Sequence, residues 1–328
     1  MRPIRARHRS AAAAMRLRGR TLIVLLLAAT LTVACEPTGE RRLVSIREGE
    51  LQPGYLTGEL LYAETRGVRQ SALFIHDLWE ATRERLPLPR GYATSPNWSP
   101  DGQRIAFAFG TEDGRSHIWV VDRDGENLTR ITDGEVVDDY PRWSPDGDSL
   151  VFASIRDGDY DWRLFVVPVD RGREPRVVGS TDGHSVFPDW SNDGRFIVYS
   201  NRDGDAYELR VLDLVADVDR ALTEGGEGGQ HLYAQFSSDG REILFATDRD
   251  DDVWQIWTLD LATNTQERVI GSDSMDEYPT YSPDDEFIAF STGHLAVYRT
   301  DGGAFPDGQL RWAVTQNLAW APDWRAAE

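Results

Sequence analysis

The chain has 328 residues, a formal net charge of −20 and a single cysteine, and all 35 of its basic residues are arginine. This acidic excess argues against nucleic acid as a partner, because phosphate binding needs basic patches, and against direct adsorption to anionic lipid headgroups. It leaves a cationic ligand, a metal or a basic protein surface as possible partners. One cysteine cannot form an internal disulfide.

Residues 1–34 have the features of a secretory signal. Arginine-rich sequence leads into the apolar run Thr21–Ala29, and Ala34 precedes the cysteine. The apolar run is too short to span a bilayer, which takes about 20 apolar residues. We therefore predict an export signal over residues 1–34, with Met1 or Met15 as the first residue.

Cys35 follows this signal directly. The segment Leu31–Cys35 resembles the lipobox of bacterial lipoproteins, with Thr32 in place of the usual leucine. Acyl chains on Cys35, at about 0.8 kcal/mol per buried methylene, would hold the protein on a membrane. Residues 35–57 show little periodicity and are typical of a tether. The prediction is an exported, membrane-anchored lipoprotein that faces the periplasm or the cell exterior.

A turn sequence recurs from residue 96 onward. It stands as Pro-x-Trp-Ser-Pro-Asp-Gly at 96–102 and 141–147, as Pro-Asp-Trp-Ser-Asn-Asp-Gly at 188–194, and in weaker copies at 236–240 and 279–284. Ser-Pro-Asp-Gly favours a type I turn, because serine accepts a local hydrogen bond, proline presets φ and glycine tolerates the exit. An aromatic residue precedes each turn and a short apolar strand follows it, so each copy predicts a hairpin.

The aromatic residues before these turns, together with a sixth near the C-terminus, are called the anchor residues. They are Trp98, Trp143, Trp190, Phe236, Tyr281 and Trp324. Successive anchors lie 43 to 47 residues apart, a period typical of propellers and other repeat folds. Each repeat has room for four short strands, and four antiparallel strands repeated radially form the blades of a β-propeller.

The two ends of the chain each carry part of a repeat. Strand-like sequence at Gly58–Ala63 has no Pro-x-Trp segment before it, and Trp320–Trp324 has no further repeat after it. We therefore predict an all-β fold over residues 58–328, a six-bladed β-propeller of four-stranded antiparallel blades. Pairing of the N- and C-terminal segments would close the ring and remove exposed sheet edges.

The repeated Pro-x-Trp-Ser-Pro-Asp-Gly, followed by an apolar strand and then Leu-Thr, resembles the TolB-type β-propeller repeat over residues 58–326. The resemblance implies the fold but no single activity, since the repeat also occurs in propellers of peptidases and lyases. TolB itself carries an α/β domain before its propeller, and none fits between Cys35 and Gly58. The resemblance therefore implies a stand-alone propeller of the family, and fold likeness alone assigns no reaction.

Residues that differ between repeats are the candidates for a binding site. They lie in the connection into each Pro-x-Trp segment, which we expect at one mouth of the central channel. The candidates for ligand or partner binding are Asp138, Asp139, His184, His231, Asp276, Glu277 and Trp320. Aromatics three positions before the anchors are expected to pack between blades: Tyr140, Phe187, Tyr233 and Tyr278. Three recurring arginines are expected to form structural ion pairs or caps: Arg156, Arg202 and Arg249.

Two hypotheses for function follow. No hydrolase, zinc-protease or nucleotide-binding motif occurs, so no catalytic residue, metal or cofactor is predicted. The first hypothesis is a monomeric scaffold that binds an envelope protein or peptide at the channel mouth. The alternative is a propeller hydrolase or lyase with a metal held by His184, His231 and a carboxylate such as Asp138 or Asp276, because propeller metal sites draw single ligands from several blades.

Overall fold

The computed structural model describes residues 54–67, 70–110, 114–156, 160–170, 174–224, 229–250, 253–271, 275–306, 309–315 and 317–326, together with the backbone of 31–35 and 41–45. The last two segments form an antiparallel pair, β1 (Leu31–Cys35) and β2 (Arg41–Ser45). Among these residues, none lies in a helix long and apolar enough to cross a membrane. Most of the predicted signal and tether lies outside the described residues, and both stay predictions.

Twenty-four further strands carry the repeat. One sheet orders β26 (Ala319–Arg325), β3 (Glu59–Gly67), β4 (Gln70–Asp77) and β5 (Thr82–Arg85). The next eight strands are β6 (Tyr92–Trp98), β7 (Arg104–Gly110), β8 (Ser116–Asp122), β9 (Thr129–Arg130), β10 (Val137–Trp143), β11 (Ser149–Ile155), β12 (Arg163–Pro168) and β13 (Arg176–Val178). Three more sheets have four strands each. The first contains β14 (His184–Trp190), β15 (Phe196–Arg202), β16 (Glu208–Asp213) and β17 (Val218–Ala221), and the second contains β18 (His231–Phe236), β19 (Glu242–Thr247), β20 (Gln255–Asp260) and β21 (Gln266–Ile270). The third contains β22 (Glu277–Tyr281), β23 (Phe287–Ser291), β24 (Leu295–Arg299) and β25 (Arg311–Ala313).

The fold is an all-β propeller of antiparallel four-stranded blades, as predicted. The described strands differ from the prediction in number, because four separate four-stranded sheets are present instead of six. The remaining strands, β6–β13, form one continuous eight-stranded sheet. The reason is a single parallel bridge between Ser116 at the start of β8 and Val137 at the start of β10. The backbone N–H of Ser116 also donates to the carbonyl of Val136 at 3.4 Å.

The hydrophobic core lies between sets of four strands that are consecutive in the sequence. Because side chains alternate between the two faces of a strand, each set offers an apolar face to both of its neighbours. One cluster, for example, joins Val151 and Leu164 to Ile197 and Tyr199 of the following set. Another joins strands near the two ends of the chain, and it contains Leu60, Tyr62, Val297 and Trp312. Apolar packing therefore also connects the first and last sets.

The predicted turns are formed by a short hydrogen-bonded unit. In the first copy, the hydroxyl of Ser99 donates to Asp101 Oδ1 at 2.5 Å, and the N–H of Gly102 donates to the carbonyl of Ser99 at 2.8 Å. Gly102 has a φ of +67°, which only glycine adopts without strain. The hydroxyl of Ser99 also accepts from the N–H of Arg104 at 2.9 Å, which fixes the register of the hairpin. The turn thus rigidly connects the first and second strands of a set.

The C-terminal strand pairs with the N-terminal part of the propeller, at the register that the sequence suggested. Strand β26 is antiparallel to β3, with Trp320 opposite Ala63 and Trp324 opposite Leu60. The carboxylate of Asp323 also reaches the following set, where its Oδ2 accepts from the backbone N–H of Trp98 at 2.6 Å and from Asn97 Nδ2 at 3.0 Å.

The contact between Asp323 and the next set predicts a measurable loss of stability. Asp323→Ala leaves the buried N–H of Trp98 without its acceptor, so the free energy of unfolding should fall by about 1–3 kcal/mol. Asp323→Asn is the matched control, because an amide oxygen still accepts from Trp98, and it should lose less. Urea unfolding of both variants checks this, and equal losses would contradict the assigned role.

Candidate functional site at the central channel

The first strand of each set has the same irregularity, three residues before the anchor. The pairing register shifts at this point, as between Asp139 and Arg142 in β10, which marks a β-bulge. In every set the residue at the shift has a left-handed backbone, with φ between +49° and +60°. These residues are Ser95, Tyr140, Phe187, Tyr233, Tyr278 and Ala321. A left-handed residue other than glycine costs about 1–2 kcal/mol, so six such positions indicate a constraint shared by all repeats.

The bulge turns these side chains toward the channel, where four aromatic rings form what we call the aromatic layer. Its ring centroids are 4.2 Å apart for Tyr140 and Phe187, 4.3 Å for Phe187 and Tyr233, and 4.0 Å for Tyr233 and Tyr278. The rings contact one another across neighbouring sets, as expected, but they do so inside the channel. The two remaining positions, Ser95 and Ala321, carry small side chains, so the layer is open on one side.

A small cavity adjoins the aromatic layer. It measures about 30 Å³, which leaves room for about one or two water molecules. Prolines from four of the repeats line it together with one charged residue, Arg142; these prolines are Pro141, Pro188, Pro279 and Pro322. Proline is suited to this position because the bulge interrupts the ladder and no N–H is needed there. The channel is therefore too narrow at this level for anything larger than water.

Beyond the prolines, the residue just before the anchor forms a hydrogen bond between sets. Asn97 Oδ1 accepts from the backbone N–H of Trp143 at 2.8 Å, Asp189 Oδ2 from Phe236 at 3.0 Å, and Gln235 Oε1 from Tyr281 at 2.8 Å. With Asp323 and Trp98, this gives four inter-set hydrogen bonds to anchor residues. The sequence analysis did not predict this role, although the residue just before the anchor is mostly Asn, Asp or Gln.

Arg142 occupies the same position in β10 but carries a positive charge. Its Nε lies 3.8 Å from Asp189 Oδ1. Burial raises the pKa of Asp189 to about 7, and the nearby Asp323 adds to this rise, while Arg142 opposes it. Burial likewise raises the pKa of Asp323. Two carboxylates and one guanidinium therefore share this part of the channel.

Three of the predicted site residues are buried and therefore not available at the channel mouth. Asp138, His231 and Asp276 stand five positions before their anchors, and their exposed fractions are 0%, 2% and 0%. Asp138 lies within β10, His231 begins β18 and Asp276 directly precedes β22. Because side chains alternate along a strand, this position faces the opposite way from the next residue.

The surroundings of these three side chains indicate structural roles within the fold. Asp138 is ion-paired with Arg156 at 3.0 Å and accepts from the hydroxyl of Thr132 at 2.5 Å. This contact agrees with the expected structural ion pair of Arg156. Asp276 lies 3.7 Å from Arg311 Nη1. Burial lowers the pKa of His231 to about 4, with a further contribution from a nearby arginine, so the ring is neutral at physiological pH.

The other two recurring arginines cover aromatic rings. The guanidinium carbon of Arg249 lies 3.6 Å from the ring centroid of Trp257, and that of Arg202 lies 5.2 Å from the centroid of Tyr207. Cation–π contacts of this kind are worth about 0.5–1 kcal/mol at exposed sites. Arg156 also covers a ring, because its guanidinium carbon lies 4.9 Å from the ring centroid of Phe165, so the three arginines share this contact and Arg156 adds the ion pair with Asp138.

The remaining candidates lie at the start of the first strands, on the mouth side of the aromatic layer. Asp139, Glu277 and Trp320 stand four positions before their anchors and are half-buried. Asp139 accepts from the N–H of Tyr140 at 2.7 Å and from the hydroxyl of Thr94 at 3.3 Å. His184 pairs with Asp161 through its Nε2 at 3.1 Å.

Asp139 and Glu277, the two mouth carboxylates, each directly precede a tyrosine of the aromatic layer, Tyr140 in β10 and Tyr278 in β22. Burial raises the pKa of both carboxylates. Burial also raises the pKa of Tyr278 to about 12, and the negative charges of Glu277 and Asp139 add to that rise. Carboxylates from distant parts of the chain therefore flank the aromatic layer.

In the part of the chain that the structure describes, no group of three or more histidine, cysteine or acidic side chains is placed to hold a metal ion. The ligands suggested for the alternative hypothesis, His184, His231, Asp138 and Asp276, are accordingly not brought together. The candidate site is instead the channel mouth, made of Asp139, Glu277, Trp320 and the aromatic layer.

Radially arranged four-stranded antiparallel sheets around a narrow channel define the molecule as a β-propeller. Residues 58–234, a little more than half of the chain, match the model of the TolB beta propeller domain. The chain belongs to this family.

Similar proteins agree with this membership. An uncharacterized protein of Agrobacterium fabrum is 32% identical over 106 residues, which are 32% of this chain and 34% of that protein, so the match spans about a third of the relative. The crystal structure of TolB from Acinetobacter baumannii superposes with a TM-score of 0.69 at 19% identity, covering 84% of this chain and 67% of that one. A putative TolB from Agrobacterium tumefaciens gives a TM-score of 0.63 at 18% identity, covering 80% of this chain and all of that one. At these identities the two structures show a shared fold.

The raised pKa of Asp189 predicts a pH-dependent stability. Its ordinary value is 3.8 and the folded value is about 7. Between about pH 4 and pH 7 the folded protein holds a proton that the unfolded chain has lost, so rising pH favours unfolding by about 2–4 kcal/mol over this range. Asp189→Asn should remove this slope and keep the hydrogen bond to Phe236.

Urea unfolding at pH 5, 6, 7 and 8 compares Asp189→Asn with the wild type. Asp182→Asn, at an exposed position, is the control and should retain the wild-type slope. If the free energy of unfolding changes with pH equally in Asp189→Asn and in the wild type, Asp189 does not bind the proton.

The left-handed backbone at Ala321 predicts a stabilising substitution. Ala321 has a φ of +51°, where an L-residue is strained and glycine is not, so Ala321→Gly should raise the free energy of unfolding by about 0.5–1 kcal/mol. Ala319, two residues earlier in the same strand, has an ordinary backbone and is buried. Ala319→Gly should therefore lower the free energy of unfolding by about 1 kcal/mol. Thermal unfolding of the two variants measures whether each substitution stabilises or destabilises the protein.

Proposed function

We propose that this propeller is a binding scaffold, which recognises a protein or peptide at one mouth of its channel. The observation that carries the proposal is that Asp139 and Glu277 directly precede rings of the aromatic layer, which borders a cavity of only about 30 Å³. A ligand that reaches these groups must stay at the mouth, because the channel narrows below them. A large partner that covers the mouth fits this shape better than a small molecule enclosed in the channel.

We further propose that the ring has six blades and is closed by the pairing of β26 with β3. On this reading the eight-stranded sheet counts as two blades, β6–β9 and β10–β13, which touch through one parallel bridge. The 43 to 47-residue spacing of the anchors supports six repeats. The apolar cluster that unites Leu60 and Tyr62 with Val297 and Trp312 supports closure. A rigid closed ring would hold the mouth residues at fixed positions.

The location proposed for the protein rests on its sequence. We propose that the chain is exported and acylated at Cys35, so that the propeller faces the periplasm or the cell exterior on a tether of residues 35–57 and acts as a monomer. The partner would then be another envelope protein or peptide. In cells, Cys35→Ser should release the protein from the membrane fraction or leave it unprocessed. Labelling with radioactive palmitate checks the same point, and wild-type protein without label would contradict it.

Partner capture tests the scaffold function. The wild-type propeller, immobilised and incubated with an extract of its own cell envelope, should retain a specific partner. The double variant Asp139→Ala, Glu277→Ala should retain at least tenfold less of the same partner, because it lacks both mouth carboxylates. The control Glu126→Ala, Glu267→Ala removes two exposed carboxylates away from the mouth and should capture as the wild type does. Equal capture by the mouth variant would overturn the proposal, provided that both variants unfold at the wild-type temperature.

A further inference from the structure

Among the described residues, no salt bridge to either mouth carboxylate is found, whereas the carboxylates that directly precede them lie near arginines. Asp138 pairs with Arg156 and Asp276 lies near Arg311, yet each is followed directly by a mouth carboxylate. Asp139 receives hydrogen bonds from neutral donors, namely Tyr140 N–H and the hydroxyls of Thr94 and Ser95.

Glu277 has fewer polar contacts than Asp139. It is half-buried, its pKa is raised by burial, and among the described residues neither a salt bridge nor a hydrogen bond to its carboxylate is found. A half-buried carboxylate without a counter-charge is unfavourable for the free protein, because desolvation is not offset. A cation that arrived with a ligand would offset that cost.

The aromatic layer supplies a second element that suits a cation. Tyr233 and Tyr278 lie 4.0 Å apart between ring centroids, and the charge of Glu277 raises the pKa of both hydroxyls further, beyond the rise from burial. Tyrosine faces attract ammonium and guanidinium groups by cation–π interaction. Each carboxylate directly precedes a ring of the layer in its own strand, so the carboxylates and the rings favour a positive charge on this side of the channel.

We propose that Glu277, Asp139 and the aromatic layer bind one basic side chain of the partner, an arginine guanidinium or a lysine ammonium. This inference rests on the scaffold function proposed above and names the chemistry of its partner. The charge at the mouth is complementary to such a group. A basic side chain would stop at the mouth, because the cavity beyond has room only for water and is lined by the positively charged Arg142.

The rim around the mouth indicates what flanks the basic residue. Tyr92, Met275 and Leu318 stand six positions before their anchors, and their exposed fractions are 42%, 58% and 59%. These three belong to sets that follow one another around the channel, and they leave an apolar border beside the carboxylates. Surface apolar groups next to a binding mouth favour burial on association. The segment that fits is a basic residue between apolar neighbours.

A pair of capped peptides tests the proposal directly. The probe is acetyl-Leu-Arg-Leu-amide, and its neutral twin carries citrulline, which keeps the shape of arginine without its charge. Calorimetry with the whole chain should show the arginine peptide binding at least tenfold more tightly than the citrulline peptide. Glu277→Gln should abolish this difference. Binding should also weaken as the pH falls, because protonation removes the carboxylate charge.

Glu242→Gln is the matched control. Glu242 is also half-buried with a raised pKa, but it follows the turn at the other end of its strand pair, so this variant should bind as the wild type does. Equal binding of both peptides, or binding of neither, overturns the cation site. The scaffold function is decided separately by partner capture. If the mouth variant loses capture but the arginine peptide binds no better than the citrulline peptide, the scaffold function stands and the cation site is rejected.

Discussion

The hydrogen bond between sets of strands is the interaction on which the channel depends. The bulge in each first strand lies three residues before the anchor. At the anchor itself the first strand pairs on one side only, so the backbone N–H of the anchor points away from its own sheet and needs another acceptor, because a buried N–H without one is costly. A polar side chain from the preceding set supplies it, as Asn97 does for Trp143 and Gln235 does for Tyr281. One contact thus satisfies a backbone group and joins two sheets.

The same bulge gives the channel its lining. A left-handed residue at this point turns its side chain to the axis, and proline after it fits where the ladder is interrupted. The strain of six such residues is tolerated because the sheets on both sides are tightly packed. The narrow cavity, the aromatic layer and the positions of Asp139 and Glu277 beside it all follow from this local geometry.

Much of the fold could be predicted from the sequence, because its signals are local and repeated. The Ser-Pro-Asp-Gly turns and the spacing of the anchors indicated four-stranded blades, and the partial repeats at Gly58–Ala63 and Trp320–Trp324 indicated the partner of strand β3. The bridge between Ser116 and Val137 could not be foreseen, since a single contact between neighbouring sheets leaves no pattern in the sequence.

The site was predicted only in part, and alternation explains why. Asp138 and Asp139 look alike as neighbours in a polar stretch, but a strand that begins at Val137 sends the first into the core and the second toward the mouth. The aromatics of the channel were expected to pack between blades. Their left-handed backbone could not be foreseen, because that conformation is typical of glycine and none of these positions is glycine.

The open side of the aromatic layer breaks the symmetry of the repeats. A ring of equal repeats would offer a partner the same surface in several rotational positions. Here the small side chains of Ser95 and Ala321 lie in β6 and β26, next to the place where the two ends of the chain meet, and the large rings lie opposite. The lining of the channel is therefore asymmetric about the axis. For the single partner proposed above, this asymmetry would select one rotational setting and favour a one-to-one complex.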